Sequence, residues 1–153
     1  YKEQRRIKVM IYKATKLIKE EMERQGLKYS IEEFEDGSGS TLLVRFTINN
    51  GPSLRVKFIS LDDKNDVAIR LFRIVENVAE SKINEMLKAV NECNCEYRYL
   101  KFILDEEHDV NIEYDLALRA EDTSIGAEAC EILVRIVRIV DEVYPKFMKI
   151  IWS

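Results

Sequence analysis

The sequence predicts an α+β fold in which helices pack on one face of an antiparallel sheet. Three observations carry this. Apolar residues recur at intervals of three and four in three segments, they alternate with polar ones in six others, and the connectors between alternating segments are short and rich in turn formers. The resulting order is helix, four strands, helix, two strands, helix. There is no long linker, composition shift or internal repeat, so residues 1–153 are expected to form one domain.

The first helix is read from Gln4 to Gln25. Ile7, Met10, Ile11, Ala14, Leu17, Ile18 and Met22 keep the helical period, and Gly26 is placed to end it. Four strands follow, at Lys28 to Glu35, Thr41 to Ile48, Ser53 to Ser60 and Asp66 to Val75. Their connectors, Asp36 to Ser40, Asn49 to Pro52 and Asp62 to Asp66, suit tight turns, so the strands are expected to form a meander. Asn77-Val78-Ala79-Glu80 matches a capping box and predicts a second helix from there to about Asn94, with Ile83, Met86, Leu87, Val90 and Cys93 along one stripe. Tyr97 to Leu104 and Val110 to Leu118 alternate again, forming a hairpin across Asp105 to Asp109.

The last helix, Ser124 to about Ile151, carries two adjacent apolar stripes. Cys130, Leu133, Val137, Val140, Tyr144, Phe147 and Ile151 make one, and Ile132, Ile136, Ile139, Val143 and Ile150 the other. Together they span more than half the circumference, wider than one sheet face requires. Either the first helix or a second copy of the protein must cover the excess, and Ile132, Ile136, Ile139, Val140 and Val143 are the candidate partner or dimer surface. Pro145 lies inside this helix and predicts a kink or break.

Composition narrows the function. A chain of 153 residues with 46% apolar content buries roughly 70% of its unfolded surface, enough for a core without metals or disulfides. The net charge of -4 gives no global attraction for nucleic acid or anionic lipid, so neither is expected as a partner. No apolar run approaches the ~20 residues of a membrane span, and the N-terminal segment is amphipathic, which predicts a cytoplasmic protein for the sequence from Tyr1 onward. The three cysteines, Cys93, Cys95 and Cys130, lack metal-binding or redox spacing and read as reduced, small buried thiols.

Candidate chemistry is sparse. His108 is the sole histidine, in Asp105-Glu106-Glu107-His108-Asp109; Asp105, Glu107, His108 and Asp109 would make a metal site if further ligands converged, whereas a solvated hairpin turn explains the same residues. No serine sits in a Gly-rich elbow beside a histidine, and Gly37-Ser38-Gly39 lacks the lysine and helix of a phosphate loop. No cofactor is implied. On the solvent parity of the strands, Arg45, Arg55, Lys57 and Arg70 form a cationic stripe able to grip carboxylates or phosphates. A solvated face balanced by Glu33, Glu35, Glu113 and Asp115 is the plainer reading.

From Asn91 the chain reads Asn-x5-Tyr-x3-Lys-Phe-x2-Asp, then Asp115-Leu116, and it ends Tyr144-Pro145-x2-Met148-x3-Trp152. These residues resemble the YbjN family, bacterial proteins described as sensory-transduction regulators. Leu100 departs from the small residue expected before the Lys-Phe pair. The family's architecture is similar to that of type III secretion chaperones, with helices on one side of a strongly twisted antiparallel sheet. The resemblance implies a dimeric, non-enzymatic domain that holds an extended client segment on apolar patches. It marks Tyr97, Lys101, Phe102, Asp115, Tyr144, Pro145 and Trp152 without giving any a catalytic role. The sequence therefore points to a homodimeric protein-binding or chaperone-like regulator, with a small-anion sensor on the cationic stripe as the alternative and a metal-dependent enzyme at the acidic turn as a remote one.

Overall fold

The computed structural model describes residues 2–61, 66–119 and 121–153, with side chains from Lys13 onward. The expected packing of Ile7, Met10 and Ile11, and the turn at 62–65, lie outside the described residues.

Helix α1 (Lys2–Arg24) opens the chain. Gly26 ends it at φ 70°, where Leu27 N donates to Met22 O at 2.8 Å and Gly26 N to Glu23 O at 3.1 Å, the paired bonds that absorb a helix's last carbonyls. Strands β1 (Ser30–Glu33), β2 (Gly39–Thr47), β3 (Ser53–Leu61) and β4 (Asp66–Val75) follow as the expected meander. Next come α2 (Ile83–Glu96), β5 (Lys101–Leu104), β6 (Val110–Ala117) and α3 (Ile125–Ile151). All six strands lie in one antiparallel sheet ordered β1-β2-β3-β4-β6-β5, so the closing hairpin joins the meander through β6.

Alternation in the strands divides the sheet cleanly. Leu42, Val44, Val56, Phe58, Val67, Ile69, Leu71, Phe102 and Ile112 face inward and merge with residues of all three helices into one core. The β5 edge is closed by α2: Asn94 Oδ1 accepts from Phe102 N at 2.7 Å, and Asn94 Nδ2 donates to Phe102 O at 2.9 Å. One amide side chain thus takes the place of a further strand.

The covering of α3 resolves the choice the sequence left open. Helix α1 packs along α3, and they approach so closely at Gly126 that a Cβ there would stand 2.4 Å from Leu17 O. Ile132, Ile136, Ile139, Val140 and Val143 are consequently between 0% and 6% exposed in a single copy. They are core rather than a docking surface, and the motive they gave for a second copy is removed. Phe147 completes the contact with the sheet by meeting Phe102 edge to face, ring centroids 6.2 Å apart.

Three local expectations are also corrected. Helix α3 is not broken at Pro145, because the missing N–H costs one backbone bond while Phe147 and Val143 stay buried on either side. Asn77 does not cap α2. It adopts φ 48° and its N–H is taken by Asp109 Oδ1 at 2.7 Å, so the helix begins at Ile83 after one 3-10 turn at Glu80–Lys82. Strand β5 starts at Lys101 instead of Tyr97 because α2 extends to Glu96 and Tyr99 turns the chain at φ 73°.

Candidate functional site

The helices leave the outer face of the sheet open, and a side-chain row crosses it in register: Ser30, Leu43, Lys57, Arg70, Glu113, Lys101. Its charged half is a ladder. Arg70 Nη2 stands 2.7 Å from Asp115 Oδ1, Arg70 Nε 3.9 Å from Glu113 Oε1, and Lys101 Nζ 3.1 Å from Glu113 Oε2. Arg70 Nη1 also donates to the carbonyls of Ile69 and Tyr114, so this arginine is held internally and leaves the expected cationic stripe.

Arg45 and Arg55 behave differently. They face each other directly across β2 and β3, both exposed, and neither has an acidic partner among the described residues. Like charges so placed cost a few tenths to ~1 kcal/mol of sheet stability. Lys57, next along β3, is half-buried with Nζ 5.6 Å from the Phe72 ring centroid, within cation–π range.

Phe72 begins an irregularity that alternation alone did not reveal. Three residues, Phe72 to Ile74, stand opposite the single Asn111, so β4 bulges and turns both Phe72 and Arg73 outward. Arg73 is held at φ 59°: Asn111 Oδ1 accepts its N–H at 2.8 Å, and Asp109 Oδ2 lies 3.3 Å from its Nε. The sequence does carry a trace of this, for the buried parity of Val67, Ile69 and Leu71 jumps three residues to Ile74.

Beside the bulge lies the acidic hairpin turn. Asp105 Oδ1 accepts from Glu107 N at 3.0 Å and Asp109 N at 2.9 Å, while Oδ2 accepts from Asn111 Nδ2 at 2.7 Å. These bonds, led by that from the Asp109 amide, hold the Asp105 carboxyl below the usual carboxylate range. His108 takes φ 64°, its N–H bonds Asp105 O, its carbonyl accepts from Val78 N, and its imidazole has no hydrogen-bond partner among the described residues. No group of three or more His, Cys, Asp and Glu side chains able to hold a metal occurs among them. Asp105 and Asp109 spend their oxygens on backbone amides, Asn111 and Arg73.

Between β3, the bulge and this turn lies an open cleft of about 560 Å³, within the usual range for ligand sites. Arg55 and Lys57 border one part and Glu76, Asp105, Glu107 and Asp109 another, with Leu54 and Phe72 as its apolar lining. Arg55 and Lys57 of the expected cationic stripe thus share one hollow with Asp105, Glu107 and Asp109 of the acidic turn, whereas Arg45, Arg70 and His108 do not line it. A second groove, about 420 Å³, lies between β6 and the start of α3 and is lined by Tyr99, Tyr114, Leu116 and Ile132 under the rim residue Arg135. Of the five α3 residues expected at a surface, Ile132 alone borders it.

The residues marked by the resemblance serve mainly as struts. Tyr97 packs on Phe102 and donates to Glu142 Oε2 at 2.9 Å; burial first, then that bond, pushes its phenol well above its ordinary range. Lys101 and Asp115 belong to the charge ladder, Tyr144 packs against Gly51, and Trp152 is 83% exposed at the end of α3. Cys93 and Cys130 are buried thiols raised by that burial, whereas Cys95 is exposed, a correction to the expectation of buried thiols. Among the described residues no helix is long and apolar enough to cross a membrane.

No curated protein matches the chain. The YbjN family, described as "Putative bacterial sensory transduction regulator", matches it over residues 15–147, from the middle of α1 to the last turns of α3. With six strands, three helices and most of its length inside that match, the chain belongs to the YbjN family.

Proposed function

We propose that this YbjN-family chain is a non-enzymatic regulatory domain of the cytoplasm that works by docking a protein partner on the outer face of its sheet. One observation carries the reading: Arg45 and Arg55 stand opposed and without acidic partners, beside a cleft on the sheet face that the helices leave open. Such an arrangement costs stability in the free chain, and an acidic group on a partner would reverse the sign of that contribution. The family description, a regulator of sensory transduction, fits a regulatory or protein-binding role. The His108 imidazole makes no hydrogen bond or ion pair among the described residues, so nothing there orients it for acid-base work. A chaperone-like mode, in which the partner contributes an extended segment, suits an open cleft.

The small-anion sensor draws on the same two arginines. Arg70 is withdrawn into its ladder, and the carboxylates bordering the cleft repel a free anion, so the protein partner is preferred.

The test is retention of native-cell proteins on the immobilised chain, comparing wild type with Arg45→Glu/Arg55→Glu and with Arg138→Glu on the exposed side of α3. A partner held by wild type and by Arg138→Glu, but retained about tenfold less by the double variant at unchanged circular dichroism, is the expected result. Equal retention by all three would overturn the reading.

A further inference from the structure

Not every charge bordering the cleft is free to meet a partner. Asp105 and Asp109 are engaged by turn amides, Asn111, Asn77 and Arg73, and Arg73 is engaged in turn by Asp109. What remains without a hydrogen-bond or ion-pair partner among the described residues is one pair of cations, Arg55 and Lys57, and one pair of exposed carboxylates, Glu76 and Glu107. Phe72, 41% exposed with Lys57 Nζ 5.6 Å from its ring centroid, and Leu54 supply the apolar lining of the same cleft. The free charges of the cleft are therefore dipolar. A ligand of one sign is drawn to one pair and repelled by the other, and since both border the same hollow it cannot use one without nearing the other.

We propose that the cleft recognises a dipolar segment of the partner protein, in which an acidic and a basic side chain flank an apolar one. The acidic side chain pairs with Arg55 and Lys57, the basic one with Glu76 and Glu107, and the apolar one covers Phe72. This inference rests on the docking reading above and sharpens it, because it states which segments are rejected as well as which are accepted. A run of acids, the natural ligand of an arginine pair taken alone, is excluded by Glu76 and Glu107. A second copy of the chain is a poor occupant, since two concave clefts placed face to face leave a void where contact is needed.

Three fluorescent peptides of equal length provide the probe: repeats of Asp-Leu-Lys, of Asp-Leu-Asp and of Lys-Leu-Lys, titrated by anisotropy at constant ionic strength. The wild-type chain is expected to bind the dipolar repeat saturably and about five- to tenfold more tightly than either single-signed one, the scale of one or two exposed charge pairs made rather than opposed. Lys57→Glu should weaken the dipolar peptide and strengthen the all-basic one; Glu107→Lys should weaken the dipolar peptide and strengthen the all-acidic one. Glu107 sits on an exposed turn, so this second variant decides the matter even if Lys57→Glu folds poorly. If the all-acidic repeat binds wild type at least as tightly as the dipolar one, and Arg45→Glu/Arg55→Glu abolishes that binding, the dipolar inference is wrong and the docking reading stands. If none of the peptides binds saturably, both fall.

Discussion

Asp105 shows how one side chain sets the shape of the cleft. Its two oxygens take two backbone amides of its own turn and the Asn111 amide, and Asn111 in turn holds Arg73 in its left-handed conformation. The carboxyl is therefore held below the ordinary carboxylate range, chiefly by the Asp109 amide, with desolvation opposing. The sign follows from linkage: a group whose folded pKa lies below its unfolded value, ~3.9, contributes stability that is complete above the unfolded value and lost as pH falls through the folded one. In an NMR titration the Glu107 and Asp109 amide resonances should accordingly move together with a midpoint below 3.8, and Asp105→Asn should remove that transition. A midpoint at or above 3.8 would mean that the turn is not organised by this carboxylate. Little of this was readable from residue types. An acidic turn with a histidine suits a metal site and a solvated hairpin equally, and only the direction of the Asp105 oxygens, inward to amides, separates them. Arg70 shows the same limit: its solvent parity was legible, but its engagement depends on Glu113 and Asp115 arriving from a strand distant in sequence.

At the scale of elements, the periods of three to four and of two placed three helices and six strands with ends displaced by a few residues, because burial on one face was the dominant constraint. The failures fall where a local bond overrides the period: at Asn77, whose amide is claimed by Asp109, and at the β4 bulge opposite Asn111. Helix α3 is the instructive success and failure together. Its wide apolar arc was legible, yet what covers it was not, since that depends on Gly126 admitting the backbone of α1 at Leu17. The covering makes a definite prediction for Ile136→Asp. If Ile136 lay at an interface, the variant would be a well-folded monomer; as a residue 0% exposed within one copy, it should lose about 4 kcal/mol or more, a large part of the ~5–15 kcal/mol available to a domain. Urea denaturation followed by circular dichroism measures this. A variant with wild-type midpoint would restore the helical face as a surface.

The whole molecule is asymmetric in what it leaves uncovered. Helices α1 and α3 cover one side of the sheet, α2 closes its β5 edge through Asn94, and the opposite side keeps Arg45, Arg55, Lys57 and Phe72 in reach of solvent. On the docking reading proposed above, the face left free to bind is sheet, not helix. The most direct measurement is amide hydrogen exchange on the chain alone and in complex with the partner it retains. Binding should slow exchange in β3, at Phe72 and Arg73, and across the 105–109 turn, while α3 keeps its free-state rates. Protection confined to α3, or to the groove under Tyr99 and Arg135, with the outer sheet face unchanged, would contradict the account.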